Sequence, residues 1–455
     1  MATWNLMKTI RSKIVDRIRG DMAEVHPFRG LRYDVAQVGD LSDVTCPPYD
    51  VIDAAFQERL YEQHPCNVIR LELNRDEPGD PDTDEKYRRA ADFVRKWIKQ
   101  GVLIQEHEDS LYAYHQVFDW EGRTYTRRGF LGRIRLERFG EGKVFPHEQT
   151  MSGPKADRLK LLEACKVNLS PIFGLYPDDD NAAQSPLERA ITSLTPHEAT
   201  DHLGVVHRLW PVSDHAVIEQ VRTLLRDKPV FIADGHHRYE TAINFRDGLI
   251  AQGKLAGPDS PPNFVMMMFV GMSDPGLVIL PTHRLVSGLT ALKRADLDAA
   301  LGRNFILEPV GKGADAARET WELIAADGGQ DVLGLGTAGD GWWTLARLTD
   351  GSPMKTLAPE QSDDWRGLGV SLLHKLVLEH LLKAHHAGGP KCRYVHQVSE
   401  VLESQTAGEV ALACLVPPAQ IEHVESIAAR LEKMPPKSTY FYPKLQTGLV
   451  FNSIG

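Results

Sequence analysis

From Lys228 to Leu249 the chain reads KPVFIADGHHRYETAINFRDGL, and this stretch limits what the rest can be. The apolar run Pro229 to Ala233 predicts a short buried strand, Asp234-Gly235 a tight turn, and a helix begins at about His237. A strand that enters a helix through a glycine turn aims the N–H groups of the first helical turn at one point. The positive end of the helix dipole faces the same point. His236, His237 and Arg238 lie there, and Arg238 supplies a planar guanidinium that stays charged. The pattern is that of a phosphate site with the Asp234 carboxylate at its lip. A plainer alternative stays open: Asp caps helices, Gly suits turns, and two His with an Arg can be a solvated helix start.

The bulk of the chain narrows the partners. Its 455 residues carry a formal net charge of −10, which argues against coating DNA or RNA, so no nucleic-acid partner is expected. No apolar run reaches membrane-spanning length, and no membrane partner is expected. Cys46, Cys66, Cys165, Cys392 and Cys414 are scattered and form no CxxC pair, which points to a reducing compartment and a cytoplasmic location. The 18 His residues form no HExxH ligand pair.

Alternating strands and helices predict an α/β to α+β protein with mixed sheets in several lobes. Residues 1–22 read as a basic amphipathic appendage without a signal-peptide core. The expected lobes are an N-terminal α/β lobe over 23–105, a β-rich segment with a basic helix over 106–178, a central lobe with the DGHHR turn over 179–288, and a C-terminal α/β lobe over 289–455. Within them, Asp53 to Gln63 and Asp82 to Gln100 read as helices and NVIRLEL as a strand. A hairpin turns at Glu121-Gly122 and is followed by a further strand. NFVMMMFVGM reads as a buried strand with its methionines as core filler, and His283-Arg284 as part of a Pro-Thr-His-Arg turn. Gly334, Gly336 and Gly339 have no helix after them and read as turn residues, not as a nucleotide loop.

A second chemically dense stretch is VFPHEQTMSGPKADRLKLLEACKVNLSPIFGLY. His147 and Glu148 occupy a loop. Lys155, Arg158, Lys160 and Lys166 lie on or beside a helix that Asn168 and Ser170 end. Such a run is either a solvated helix face or an anion-holding wall turned toward the DGHHR turn, and spacing leaves both open. Nearer the N-terminus, PFRGLRYD carries Arg29, and two prolines in TCPPYDVI rigidify a turn presenting Tyr49 and Asp50.

PFRGLRYD, CPPYDVI, HEQT, GPKADRLKLLEACKVNLSPIFGLY, IADGHHRYETA, PTHRLV and MPPKSTYFYPK together resemble domain-of-unknown-function family ten-fifteen of bacteria and archaea, from about Met22 onward. The DGHHR turn itself resembles the motif of free-serine kinases that share the ParB/sulfiredoxin-like fold, in which the equivalent turn binds nucleotide phosphates and the product is O-phosphoserine. That resemblance implies a ParB/sulfiredoxin-like nucleotide-binding element here, with Asp234, Gly235, His236, His237 and Arg238 holding the phosphoryl donor. The kinases' catalytic glutamate has no unique match, and Glu24, Asp34, Asp50 and Glu148 are all candidates. Sulfiredoxin has Cys where His236 stands, so sulfinic acid reduction would have no nucleophile.

These features lead to a small-molecule kinase transferring a phosphoryl group from ATP, ADP or pyrophosphate, with Mg²⁺, to a hydroxyl such as that of free L-serine. Asp234 would hold Mg²⁺ or orient the acceptor. Arg238 and His237 would neutralise developing charge, and Glu148, with His147 beside it, would be the second carboxylate. Arg29, Tyr49, Asp50, His147, Lys155, Arg158, Asn168, His283 and Arg284 are the candidate substrate contacts. Two other readings stand beside this one: a non-catalytic nucleotide-binding or ParB-like regulatory protein, and a metal-dependent phosphoester hydrolase using the paired histidines.

Overall fold

A computed structural model describes residues 23–148, 152–408 and 410–455, so the basic appendage expected over 1–22 lies outside the described residues. Compactness divides the chain into two units. Of the described residues, the first comprises those up to Pro146, 152–278 and the C-terminal segment Pro443–Gly455; the second comprises His147, Glu148 and those from Ile279 to Tyr442.

The first unit is built on one nine-stranded mixed sheet. Its strands are β1 (Val25–His26), β2 (Leu111–Trp120), β3 (Arg123–Arg135), β4 (Val144–Phe145), β5 (Ile172–Tyr176), β6 (His197–Thr200), β7 (Val206–Val212), β8 (Val230–Asp234) and β9 (Phe264–Gly271). They run in the order β4-β8-β5-β9-β3-β2-β7-β6, with β1 on β3. The three segments expected as separate lobes before residue 289 thus all give strands to one sheet, which is why they form one unit. Helices α1 (Ala54–Gln63), α2 (Ile69–Glu72), α3 (Glu85–Lys99), α4 (Ser152–Cys165), α5 (Ser185–Ile191), α6 (His215–Leu225) and α7 (His236–Ala251) complete it. Ile172, Ile232, Met267 and Phe269 from the sheet pack with Val221, Tyr239 and Ala242 from the helices in one buried cluster. Met266, Met267 and Met268 are all fully buried, as core filler should be.

Local chemistry explains most elements. The side chain of Asp53 caps α1 by accepting from Phe56 N (2.7 Å), and Asp214 caps α6 by accepting from Ala216 N (2.8 Å). Glu121 and Gly122 both take positive φ (48° and 73°), the tight hairpin geometry that matches strand twist. Two expectations fail. NVIRLEL is not a strand: Asn67 Oδ1 accepts from Ile69 N (2.9 Å) and starts the single-turn helix α2. Ile69, Leu71 and Glu72 are all buried, so the run carries no periodic signal to separate helix from strand. The hairpin's second arm and the further strand expected after it are one 13-residue strand, β3. Gly129 lies inside it and lets β9 come close, since a Cβ there would sit 2.5 Å from the Phe269 carbonyl oxygen.

The second unit holds a six-stranded sheet of β10 (His283–Leu289), β11 (Phe305–Lys312), β12 (Val332–Thr337), β13 (Trp342–Leu348), β14 (His386–Val395) and β15 (Leu412–Leu415), ordered β11-β13-β12-β15-β10-β14. Leu285, Leu345, Ala413 and Leu415 pack against Ile324 of the helix Gly313–Asp327 and Val401 of the helix Val398–Thr406. Gly334 and Gly336, expected in a turn, are buried inside β12. His283 and Arg284 begin β10 instead of forming a turn. The apolar run VSLLHKLVLEHLL is wound as a π-helix over Leu372–Leu381.

The C-terminal segment is stitched into the first unit. Leu31 and Phe451 exchange backbone hydrogen bonds (both 2.9 Å), as do Cys46 and Thr447 (3.2 and 2.8 Å), and Asn452 pairs with Asn168.

Gly129→Ala is expected to destabilise the first unit by about 1–3 kcal/mol through overpacking against the Phe269 carbonyl. The urea midpoint of unfolding checks this, and an unchanged midpoint would mean that β3 and β9 are not so closely apposed.

Candidate functional site

β8 is paired on both sides, with β4 parallel and β5 antiparallel, and its register with β5 shifts between Ile232 and Asp234. An irregularity at that point re-aims the side chain that follows it. Gly235 then takes the left-handed conformation (φ 90°, ψ 26°) and α7 begins at His236. Gly235 has no side chain with which to cap α7. The expected strand, glycine turn and helix start are therefore all present.

The charges around the turn are arranged differently from the expectation of an open anion cradle. Arg238 folds back over the turn and donates to Asp234 Oδ2 (2.6 Å) and to the Pro171 carbonyl (2.5 Å). The other Asp234 oxygen, Oδ1, accepts from Lys444 Nζ (2.5 Å). The three side chains are only 12–20% exposed. Burial disfavours charge on Lys444, but Asp234 and Asp50 outweigh it and hold its pKa above the usual lysine range. Asp234, expected as the Mg²⁺ ligand, has both oxygens engaged by cations, and among the described residues no group of three or more His, Cys, Asp or Glu could hold a metal. The residues present do not fit a protein-held Mg²⁺.

Lys444 is held from behind. Gln116 Nε2 donates to its carbonyl (2.9 Å), and Arg127 donates to the Pro443 carbonyl (2.5 Å). Arg127 is fully buried, lies 4.7 Å from the centre of the Phe173 ring, and is pushed down to about 10 by burial. Tyr114, whose hydroxyl meets His207 Nδ1 (2.7 Å), accepts from Gln446 N (3.3 Å).

The basic run on α4 divides between a solvated face and ion pairs inside the unit. Lys160 is half-exposed and pairs with Asp84 (2.7 Å), a solvated face. Lys155 pairs with Glu240 of α7 (2.8 Å). Arg158 is buried, donates to the Glu72 carbonyl (2.8 Å) and to Asp157, and lies 4.2 Å from the centre of the Tyr49 ring. Burial would lower its pKa, but Glu72 and Asp157 raise it above the usual arginine value. Arg158, Arg238, Asn168, Glu72, Ser170 and Thr241 line one cavity of about 50 Å³. Asn168 does not end α4, which stops at Cys165; Lys166 turns the chain with φ 53° and Asn168 enters a short strand.

The first unit thus brings together Tyr49, Asp50, Lys155, Arg158, Asn168 and the DGHHR turn. It does not bring Arg29 there: that side chain is exposed and donates to the Glu106 carbonyl (3.0 Å). Two carboxylates weighed as the catalytic one have structural roles. Glu24 pairs with Arg135 and is lowered to about 2 chiefly by that hydrogen bond, and Asp34 caps a helical turn through Ala36 N (3.0 Å). His147, Glu148, His283 and Arg284 belong to the second unit. There His147 Nε2 meets Thr439 Oγ1 (2.8 Å), Glu148 Oε1 accepts from Lys437 N (2.9 Å), and Arg284 donates to the Lys437 carbonyl (2.8 Å). His283 is fully buried and held down to about 3 by burial, a core histidine and not a substrate contact. Lys444, Glu72 and Thr241 were missed: Lys444 pairs with Asp234 across 210 residues, and no local pattern marks the other two.

The family model described as "Protein of unknown function (DUF1015)" matches residues 25–371. The chain belongs to the DUF1015 family. No curated protein matches it by sequence. Among solved structures it is similar to a free serine kinase in complex with AMP (12% identity, 68% of this chain and 88% of that one, TM-score 0.32). It is also similar to a conserved hypothetical protein from Pyrococcus furiosus (13%, 67% and 89%, TM-score 0.32) and to C-terminally truncated SbnI from Staphylococcus aureus (12%, 70% and 87%, TM-score 0.33). No helix among the described residues is long and apolar enough to cross a membrane.

Asp234→Asn is expected to cost about 2–4 kcal/mol, because it leaves two poorly solvated cations facing each other; chemical denaturation checks it. His283 is neutral when folded, with a pKa of about 3, and takes a proton when unfolded below its ordinary value of 6.5. Stability should therefore fall as pH drops from 6.5 toward 3, by about 1.4 kcal/mol per unit from this group. His283→Gln should flatten that limb of the stability–pH curve.

Proposed function

We propose that this protein is a small-molecule kinase that binds the phosphates of ATP, ADP or pyrophosphate at the β8–α7 turn and transfers one phosphoryl group to a hydroxyl, with free L-serine as a first acceptor to test. The observation that carries the reading is the Lys444–Asp234–Arg238 arrangement at the start of a helix whose N-cap is a glycine. Two cations are held there in fixed directions beside the positive end of the α7 dipole, the layout that phosphate binding needs. We read the β8–α7 element as ParB/sulfiredoxin-like, on the sequence resemblance of its DGHHR turn.

Phosphoryl transfer places charge on the equatorial oxygens of the moving group, and donors that are already positioned stabilise it without reorganising. Lys444 and Arg238 supply that charge, with the N–H groups of the first α7 turn around them. Asp234 holds both cations in place and is a positioning residue. Asp50 is exposed and close enough to Lys444 to raise its pKa, so it takes the role of the carboxylate that receives the acceptor proton. The compartment we infer is the cytoplasm, where the five unpaired cysteines stay reduced.

Phosphorus NMR of the protein with Mg²⁺, L-serine and, in turn, ATP, ADP and pyrophosphate should show a new phosphomonoester with one donor. Arg238→Ala should abolish it and weaken nucleotide binding about tenfold to a hundredfold, the scale of a lost charge-assisted hydrogen bond. Lys444→Met should act in the same direction. Binding without any phosphomonoester would favour the non-catalytic nucleotide-binding reading, and neither binding nor product would leave the turn as a structural helix start.

A further inference from the structure

Arg127 of β3, Gln116 of β2 and His207 of β7 stand opposite one another, one row across three strands of the large sheet. All three are fully buried. Polar side chains are costly there unless each polar atom meets a partner of the right sense. The partners fix that sense one after another. Arg127 can only donate, and its Nε donates to Gln116 Oε1 (3.0 Å). The Gln116 amide therefore turns its NH₂ the other way, to the Lys444 carbonyl (2.9 Å) and toward His207 Nδ1 (3.5 Å). The Tyr114 hydroxyl accepts from Gln446 N (3.3 Å), which leaves its own proton for the same Nδ1 (2.7 Å). Nδ1 thus faces two donors and has to be an acceptor. The ring proton sits on Nε2, which meets Asp201 Oδ2 (3.2 Å).

We infer that His207 is a positioning residue for the site: its Nδ1, kept an acceptor by Asp201, holds the Tyr114 and Gln116 side chains in the directions from which they grip residues 443–446 and deliver Lys444 to Asp234. Asp201 follows β6, and its side chain is only 5% exposed. Burial pushes its pKa up, but the hydrogen bonds from His207, Val205 N and Leu203 N outweigh burial and hold it below the usual aspartate range. It stays a carboxylate, which can only accept. Its Oδ1 is taken by Leu203 N (2.9 Å) and Val205 N (3.0 Å). The hydrogen bonds therefore run in one sense from His207 to Asp201 and from Tyr114 and Gln116 to His207, and the same two side chains hold the segment whose lysine pairs with Asp234 (2.5 Å). A fully satisfied buried network of this kind fixes direction more than it adds stability. Lys444 serves phosphate only on the kinase reading, and to that extent the role of His207 rests on it. The grip on Lys444 is measured without any ligand.

Asp201→Asn is the first test, because it keeps the shape and changes a tautomer. Leu203 N and Val205 N still require an oxygen, so the new amide has to present its NH₂ to His207 Nε2. That nitrogen becomes the acceptor, the proton moves to Nδ1, and Nδ1 then opposes two donors. Long-range ¹H–¹⁵N spectra of the full-length protein labelled at histidine should show the His207 proton on Nε2 in the wild type and on Nδ1 in Asp201→Asn. In protein labelled at lysine Nζ, the Lys444 ammonium, assigned by its loss in Lys444→Met, should exchange slowly with water in the wild type and severalfold faster in Asp201→Asn. Calorimetry with pyrophosphate should show about twofold to tenfold weaker binding by the variant, the scale of one lost hydrogen bond.

A merely structural role would lower the unfolding midpoint of Asp201→Asn and leave Lys444 exchange in the folded protein unchanged. If Asp201→Asn does not fold, Tyr114→Phe, which cuts the link from His207 to Gln446, decides by the same lysine signal. A wild type that binds no pyrophosphate, together with the tautomer change and the faster Lys444 exchange, supports the role of His207 and removes the phosphate reading alone. A His207 proton on Nδ1 in the wild type, or an Asp201→Asn protein with an inverted tautomer and unchanged Lys444 exchange, would overturn the inference.

Discussion

Asp234 is a poorly solvated carboxylate placed between two cations of different origin. One comes from its own helix a single turn later, and the other comes from the far end of the chain. None of the three charges is stable there alone, because each is largely removed from water and depends on the others. The surrounding structure follows from keeping them together. The register shift in β8 re-aims Asp234, the left-handed Gly235 lets Arg238 fold back over it, and the Pro171 carbonyl fixes the second end of the guanidinium. Behind Lys444, the buried Gln116 and Arg127 hold the backbone of the segment that delivers it.

This arrangement suits chemistry on phosphate better than an open basic surface would. Cations locked by a carboxylate have lost their freedom before a ligand arrives, so a bound phosphate costs little further side-chain entropy. It also limits the ligand. Lys444 and Arg238 each keep one interaction with Asp234, and a phosphate has to share them. Beside them, the Arg158–Glu72 pair under the Tyr49 ring forms a second, internally neutralised layer.

Much of the first unit was legible in the sequence. The strand–glycine–helix unit, the Glu121-Gly122 hairpin and the helices after Asp53 and Asp82 each depend on residues within a few positions of one another, and their signals are local. Elements buried on every face were not legible. NVIRLEL has apolar residues without a period, and it became a helical turn led in by the Asn67 side chain, which accepts from Ile69 N. The basic run on α4 gave no indication that Arg158 would be buried and Lys160 solvated, since that depends on which face meets Glu72 and Tyr49.

The sequence by itself determined the chemistry of the turn: a carboxylate, a glycine able to adopt positive φ, and an arginine one helical turn away, all within five residues of each other. Only the tertiary structure decided what that carboxylate does. Lys444 reaches Asp234 because the C-terminal segment pairs with Leu31, Cys46 and Asn168, and Glu72 reaches the cavity because α2 packs where Ser170 and Arg158 meet it. These contacts join residues far apart in the chain. Residue spacing carries no record of them, because long-range pairing is set by how buried surfaces and charges find partners once the sheet has formed.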